Sequence, residues 1–217
     1  MPKVRFRYQT VELGGKDFHL RSLRDRQQCP DDITEAEACG ISSATWPLFG
    51  ILWQSEELLA NIVLDEEIAN RRILEVGCGL GLASLLLQGR GADITAMDYH
   101  PEAKHFLDYN ARLNDLEPIP FARTSWLDPN PELGLFDTII GSDVLYDRHN
   151  LSPLLEFIIT HAAAGSTILL VDPRRGLTGP FTRLLSARGF TPNVTELSHT
   201  SHDGTEKNCR VLRFVRD

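Results

Sequence analysis

A glycine-rich segment, Glu75-Val-Gly-Cys-Gly-Leu-Gly81, is the feature of this sequence that points most directly to ligand binding. It begins within the apolar run Ile73–Val76, which predicts a strand, and it precedes Leu82–Gln88, which predicts a helix. Glycines between a strand and a helix permit turns with positive φ and let a ligand lie against the backbone. The alternating glycines do not fit the G-x-G-x-x-G spacing of a dinucleotide site, because neither frame has glycine or alanine at its last position.

Polar and aromatic residues also stand where the following predicted strands end. Asp98 closes the second strand, where a carboxylate can accept two hydrogen bonds from a ribose diol. The third strand runs into Ser125-Trp-Leu-Asp128, and the fourth is followed by Asp143-Val-Leu-Tyr146. Ligands of open α/β sheets bind at the carboxyl ends of the strands, so these segments are expected to line one site together with the glycine loop.

The elements that must position these residues alternate between strands and helices from Arg72 onward. The predicted strands are Ile73–Val76, Asp93–Met97, Pro120–Trp126, Phe136–Ser142, Ser166–Val171, Thr191–Leu197 and Arg210–Val215, and the predicted helices are Leu82–Gln88, Pro101–Leu113, Ser152–Ala163 and Gly179–Ala187. Strands joined through helices form a parallel sheet with helices on both faces. The polar segment Ser198–Gly204 joins the last two strands without a helix, so they are expected to pair as an antiparallel hairpin.

The first third of the chain has a different organisation. Val4–Val11 and Asp17–Leu23 predict a β-hairpin around Gly14-Gly15, and the stretch from Gln27 to Ser43 is typical of a linker. Apolar residues at helical spacing from Trp46 to Val63 predict a helix, with Pro47 suited to its first turn. We therefore expect an N-terminal hairpin and linker over residues 1–43 and an α/β domain over residues 44–217.

Composition excludes several other classes of protein. The chain has 217 residues, a net charge of −8 and no apolar stretch near the roughly 18 residues of a membrane span. Its N-terminus lacks the features of a secretory signal peptide. The four cysteines form no C-x-x-C pair, which favours a reducing cytoplasm and predicts no metal site. The acidic balance argues against broad binding of a nucleic-acid backbone.

The glycine loop with its preceding Glu75 resembles the cofactor loop of class I, seven-strand S-adenosylmethionine (SAM)-dependent methyltransferases, and the resemblance extends over about residues 73–215. It implies a Rossmann-like fold, SAM as cofactor and S-adenosylhomocysteine as product, without a metal. The residues that it places at the cofactor are Trp46, Glu75, Gly77, Cys78, Gly79, Gly81, Asp98, Tyr99, Trp126, Leu127 and Ser142.

Within that class the sequence is most similar to the family-16 protein-lysine methyltransferases. Asp143-Val-Leu-Tyr146 resembles their Asp/Glu-x-x-Tyr/Phe motif, and this group also has an N-terminal hairpin and a Trp-containing segment before the first Rossmann strand. The resemblance implies that Asp143 and Tyr146 are catalytic and that the acceptor is a lysine of a protein. Ser142 departs from the alanine that is frequent in the group. The Asn/Asp-Pro-Pro-Tyr/Phe loop of glutamine and base methyltransferases is absent, since Val144 and Leu145 replace its prolines.

Two other functions stay open at this point: a small-molecule or nucleic-acid methyltransferase with the same cofactor site, and a binding module that keeps the fold without turnover. The methyl acceptor, the number of methyl groups, the oligomeric state and the role of the hairpin are not determined. Of the remaining residues, Trp53 is assigned to the core and Cys78 to space-filling within the loop. His100, His105 and His149 are expected as surface or loop residues. The Asp172-Pro-Arg-Arg175 segment is expected in a solvated loop, with contact to an acidic substrate as the alternative.

Overall fold

The computed structural model describes residues 4–128 and 130–216, so the outermost residues of the two predicted domains lie outside it. The strands are β1 (Phe6–Leu13), β2 (Lys16–Leu23), β3 (Arg72–Val76), β4 (Asp93–Asp98), β5 (Phe121–Arg123), β6 (Phe136–Ser142), β7 (Ala162–Asp172), β8 (Phe190–Thr200) and β9 (Glu206–Arg216). The α-helices are α1 (Thr34–Ala38), α2 (Gln54–Val63), α3 (Leu82–Gly89), α4 (Ala103–Leu113), α5 (Leu151–His161) and α6 (Thr178–Ser186). Short 3₁₀ helices lie at Trp46–Gly50, Pro131–Leu133 and Arg148–Asn150.

Seven strands form one sheet in the order β5-β4-β3-β6-β7-β9-β8. The pairs from β5 to β7 are parallel, and β9 is antiparallel to both β7 and β8. This arrangement confirms the predicted Rossmann-like α/β fold with its antiparallel C-terminal hairpin. The strand order reverses beside β3, which lies between β4 and β6, and ligands of such sheets bind at this switch point.

Side chains alternate between the two faces of β3, as the pleat of a strand requires. Ile73 packs into the apolar cluster under α2 and α3, whereas Leu74 and Val76 pack into the cluster on the opposite face, with α5 and α6. Glu75 shares the face of Ile73 and is fully buried. The alternation therefore places the acidic residue of the loop motif beneath α3 before the glycine turn begins.

The predicted N-terminal hairpin is confirmed as a separate two-stranded sheet of β1 and β2. Gly14 and Gly15 turn the chain with φ of 57° and 75°, values that glycine adopts without strain. The hairpin docks on α4, where Asn110 and Asn114 side-chain oxygens accept hydrogen bonds from backbone N–H groups of β2, at 2.8 and 2.7 Å. These amide contacts satisfy N–H groups that the two-stranded sheet leaves unpaired.

Two sequence-based element predictions are too long by three residues or more. The predicted helix from Trp46 to Val63 is broken, because the backbone is extended at Ile51 and Trp53 and α2 begins only at Gln54. The Trp53 indole donates a hydrogen bond to the Leu48 carbonyl across this break, at 3.0 Å. The predicted strand Pro120–Trp126 ends at Arg123, since Ser and Thr side chains bond to the 125–128 turn in place of a strand neighbour.

Candidate functional site

The glycine loop between β3 and α3 is the floor of a cavity of about 690 Å³. Gly77, Gly79 and Gly81 all have positive φ, of 66°, 54° and 73°. A Cβ atom on Gly79 would stand 2.9 Å from the Phe49 carbonyl oxygen, and one on Gly81 would stand 2.4 Å from a Leu107 methyl group. Both the conformation and the close approach of neighbouring groups therefore require glycine.

Asp98, at the end of β4, is hydrogen-bonded to one side of this loop. Its carboxylate accepts hydrogen bonds from the backbone N–H groups of Gly79 and His100, each at 2.9 Å. The side chain lines the cavity and is only 6% exposed, and burial raises the pKa of the carboxyl from its ordinary value. Each carboxylate oxygen keeps a lone pair for a further donor, which suits a ligand diol.

His100 lies in the loop between β4 and α4, as expected, but it is buried in an aromatic wall of the cavity and is not a surface residue. The ring is 3% exposed, stacks on Phe49 with centroids 3.8 Å apart, and meets the edge of Trp46 at 5.7 Å. Burial lowers the pKa of His100 to about 4, so the ring is neutral at pH 7. Trp46 itself lies behind Phe49 and His100 and does not line the cavity.

A buried carboxylate from α2 forms the opposite side of the cavity. Glu56 is 5% exposed; its Oε1 accepts a hydrogen bond from the Ala83 N–H at 2.9 Å, and its Oε2 accepts one from the Ser142 hydroxyl at 2.8 Å. Glu75 lies nearby but accepts its hydrogen bonds from the backbone and hydroxyl of Ser84. The carboxylate that lines the cavity is thus Glu56 and not Glu75.

Asp143, at the carboxyl end of β6, is held in an unusual backbone conformation. Its φ is +54°, and its N–H donates to the Val171 carbonyl oxygen at 2.8 Å. The Arg175 guanidinium, from the loop after β7, donates to both carboxylate oxygens of Asp143, at 2.5 and 2.6 Å. Arg175 therefore lies in an exposed loop, as expected, and also lines the cavity as the counterion of Asp143.

Aromatic side chains form the rim of the cavity. Tyr146 is 47% exposed, and its ring centroid lies 6.3 Å from that of Trp126. Burial of its hydroxyl raises the pKa of Tyr146 well above its ordinary value, with Tyr99 the next contributor, so the phenol stays protonated at neutral pH. Tyr99 and Leu127 are also partly exposed at this rim. Trp53, expected in the core, lines the cavity as well, and the Arg26 guanidinium lies 4.5 Å from its ring centroid.

The comparison that decides the family is a match of the methyltransferase domain to residues 54–193. This chain is a member of the methyltransferase domain family. The matched segment contains the glycine loop, Asp98, Asp143 and Tyr146. Among solved structures, magnesium protoporphyrin IX methyltransferase from Synechocystis PCC 6803 with bound SAM superposes with a TM-score of 0.59 at 20% identity, over 75% of this chain and 78% of that one. At this identity the likeness establishes the fold.

Curated methyltransferases give a similar result. The electron transfer flavoprotein beta subunit lysine methyltransferase of Danio rerio is 29% identical over 59% of this chain and 51% of its own length. Histone-arginine methyltransferase METTL23 of Xenopus laevis is 26% identical over 64% and 59% of the two chains, and protein N-lysine methyltransferase METTL21A of Danio rerio is 29% identical over 71% and 75%. The chain thus spans between half and three quarters of the length of these relatives. The predicted resemblance to SAM-dependent methyltransferases, and to their protein-lysine group, is confirmed.

The structure brings together most of the residues predicted for this methyltransferase site. Those that line the cavity are Gly77, Cys78, Gly79, Asp98, Tyr99, Trp126, Leu127, Ser142, Asp143 and Tyr146. Trp46, Glu75 and Gly81 do not line it, so their direct cofactor contacts stay predictions. Trp46 packs behind Phe49 and His100, Glu75 bonds to Ser84 beneath the loop, and Gly81 turns the chain into α3. Sequence reasoning missed Phe49, Trp53, Glu56 and His100 as lining residues, and it considered Arg175 only as a contact for an acidic substrate. A charged residue in the apolar pattern of α2 was the signal for Glu56, and an arginine just after a strand end was the signal for Arg175.

The lining residues fit the cofactor of this family. A Cβ atom on Gly77 would stand 3.1 Å from a Val144 methyl group, so the space above this glycine is kept free by the absence of a side chain. Asp98 supplies free acceptors for a diol. Trp126 and Leu127 supply apolar surface for a base. Within residues 4–128 and 130–216, no group of three or more His, Cys, Asp or Glu side chains has the geometry to hold a metal ion, and no helix is long and apolar enough to cross a membrane.

Proposed function

We propose that this chain is a SAM-dependent methyltransferase whose acceptor is a lysine side chain of a protein. The observation that carries the proposal is the position of Asp143 and Tyr146, which follow β6 and line the same cavity as the glycine loop and Asp98. The lysine specificity of METTL21A and of the flavoprotein methyltransferase supports this acceptor.

The chain's own residues would bind and align the acceptor. SAM supplies an electrophilic methyl group, and the attacking amine must be neutral although its reference pKa is about 10.4. Asp143 accepts hydrogen bonds from the incoming ammonium, in exchange with Arg175, and orients it toward the glycine loop. Tyr146 and Trp126 border the approach with ring faces that favour a cationic group. Once the amine has lost its proton to solvent, these contacts hold it for in-line attack.

An arginine acceptor is a second candidate, and a specific contact favours it. Asp143 already binds a guanidinium through both carboxylate oxygens, which is the geometry that an arginine substrate needs. Histone-arginine methyltransferase METTL23 is among the similar proteins. The two acceptors give different products, methyl-lysine and methyl-arginine, so the products can be separated after hydrolysis.

The location that we propose is the cytoplasm. All four cysteines are free thiols: Cys29, Cys39, Cys78 and Cys209. Free thiols are typical of a reducing compartment. Binding of SAM by protein purified from a reducing buffer, and its loss on oxidation, would support this location.

The proposed function is tested with purified protein in two steps. Calorimetry with SAM, and with NAD as the control ligand, measures whether the cavity binds the expected cofactor. Incubation with methyl-labelled SAM in a cell lysate then identifies the acceptor, with the Asp143→Asn variant as the matched control. We expect saturable SAM binding by both proteins, and labelled methyl-lysine in a protein band only with the wild type. Label confined to small molecules or nucleic acid would move the acceptor to another class, and absence of SAM binding would refute the proposal.

A further inference from the structure

Glu56 is a buried carboxylate that has no role in the mechanism proposed for Asp143 and Tyr146. It lies on α2 and lines the cavity, yet it is 5% exposed. One of its oxygens accepts from the Ala83 N–H in the first turn of α3, and the other accepts from the Ser142 hydroxyl. Two neutral donors leave lone pairs unused, and a buried carboxylate is costly unless a cation or further donors approach it.

The neighbouring Glu75 determines which of the two carboxyls is charged. Burial raises the pKa of Glu75 well above its ordinary value, and the charge of Glu56 adds to this effect. One Glu75 oxygen accepts from the Ser84 backbone and hydroxyl, whereas Oε1 has no partner among the described residues unless it is protonated and donates to Glu56. Burial raises the pKa of Glu56 as well, but the hydrogen bonds from Ala83 and Ser142 oppose that shift, and the pKa of Glu75 is raised further. The proton of the pair is therefore assigned to Glu75, and the negative charge to Glu56.

The sheet order places this charge opposite Asp98. Asp98 ends β4 and Ser142 ends β6, and β3 with its glycine loop lies between them. Glu56 bonds to Ser142 and to the start of α3, so it lies on the β6 side of the loop. A ligand whose diol is held by Asp98 and which crosses the glycine loop reaches Glu56 with its other end.

We propose that Glu56 binds the α-ammonium group of the methionine part of SAM, an assignment that rests on the proposed use of SAM. The ammonium would complete the hydrogen bonding of the Glu56 carboxylate and neutralise the charge of this buried side chain. Glu75 then acts as a positioning residue, because its protonated carboxyl holds Glu56 from behind.

The first arm of the test changes the ligand and leaves the protein intact. Calorimetry compares wild-type binding of S-adenosylhomocysteine with that of its analogue without the α-amino group and its analogue without the carboxylate. We expect the loss of the amino group to weaken binding about thirtyfold, the effect of removing one partner of a buried charge pair, and to exceed the effect of losing the carboxylate. Equal binding of the desamino analogue would overturn the assignment.

The second arm changes the protein and uses a neighbouring carboxyl as its control. Glu56→Gln is expected to weaken binding of SAM and S-adenosylhomocysteine about thirtyfold. The same variant should bind the desamino analogue and 5′-methylthioadenosine, which lacks the amino-acid part, as the wild type does. Glu57→Gln is the matched control, since Glu57 is equally buried on α2 but bonds to His202 and does not line the cavity. It should bind all four ligands normally.

The outcomes separate failure of the assignment from failure of the proposed function. Weakened binding of 5′-methylthioadenosine by Glu56→Gln, to the same degree as SAM, would assign Glu56 to the shape of the loop and refute an ammonium contact. Unchanged SAM binding by this variant would also refute it. Wild-type protein that binds none of the four ligands would refute the use of SAM itself. If Glu56→Gln fails to fold, as circular dichroism would show, the ligand arm alone decides.

Discussion

Asp143 and Arg175 form a two-point ion pair across the ends of β6 and β7, with N–O distances of 2.5 and 2.6 Å. The Asp143 side chain is 11% exposed and that of Arg175 is 40% exposed, so the guanidinium is the partner with access to solvent. The hydrogen bond to Asp143 raises the pKa of Arg175. An acceptor ammonium therefore competes with Arg175 for the same carboxylate.

Replacing Arg175 tests this competition. Arg175→Met keeps an apolar stem and removes the charge, so we expect KM for a lysine acceptor to fall about fivefold, in the range of a partly exposed ion pair. SAM affinity should not change, because the pair lies at the acceptor end. Steady-state kinetics measure the first quantity and calorimetry the second. Arg174→Met is the matched control, since Arg174 faces Glu196 at 3.9 Å and does not line the cavity. A higher KM in Arg175→Met would mean that Arg175 supports acceptor binding.

Tyr146 offers a ring and a hydroxyl, and two substitutions separate their roles. If the ring borders the cationic acceptor, Tyr146→Phe should keep kcat/KM within about threefold of the wild type, and Tyr146→Ala should lose about tenfold or more. The ring position beside Trp126 is the reason for this expectation. An equal loss of kcat/KM in the two variants would mean that the hydroxyl, and not the ring, supports catalysis.

Gly79 and Gly91 form a matched pair for testing the glycine loop. Both have positive φ, 54° and 79°, but a Cβ atom on Gly79 would meet the Phe49 carbonyl, whereas one on Gly91 meets nothing within 4 Å among the described residues. Gly91→Ala should lower the free energy of unfolding by about 1 kcal/mol, the cost of positive φ for alanine. Gly79→Ala should cost about 2–3 kcal/mol, because the steric clash adds to that conformational cost. Urea unfolding measures both, and SAM affinity should fall only in Gly79→Ala.

His100 should make the fold sensitive to acid. Its pKa in the folded chain is about 4, against an ordinary 6.5, because burial disfavours the charged ring. Between these values the unfolded chain binds a proton that the folded chain does not, so the free energy of unfolding falls as pH drops from 6.5 to 4. The difference amounts to about 3 kcal/mol.

The variant His100→Phe isolates this effect, since it retains a ring against Phe49 and removes the titration. Its free energy of unfolding should decrease less than that of the wild type over pH 6.5 to 4. Asp98, Glu56 and Glu75 have raised pKa values, which act in the opposite direction, and they are present in both proteins. Parallel pH profiles from urea unfolding would contradict the prediction.

Much of the site could be predicted from the sequence because its signals are local. One βα unit is defined by an apolar strand, three alternating glycines and the helix-forming stretch that follows them. Asp98 and Asp143 are placed near this unit because each stands at the end of a neighbouring strand. The sequence does not indicate that the predicted helix from Trp46 to Val63 is interrupted by extended backbone. The break at Ile51–Trp53 depends on the Trp53 indole reaching the Leu48 carbonyl and lies within a continuous helical pattern.

The sequence by itself determined the α/β fold, the position of the glycine loop and the residues at the strand ends, since each follows from the period of apolar residues or from backbone freedom. The tertiary structure alone decided which charges meet. Glu75 is buried because the pleat turns it beneath α3, while Glu56, 19 positions earlier, reaches the cavity from α2. Arg175 pairs with Asp143, 32 positions away, because β6 and β7 are neighbours. Sequence spacing carries no information about such contacts, which depend on how helices and strands pack.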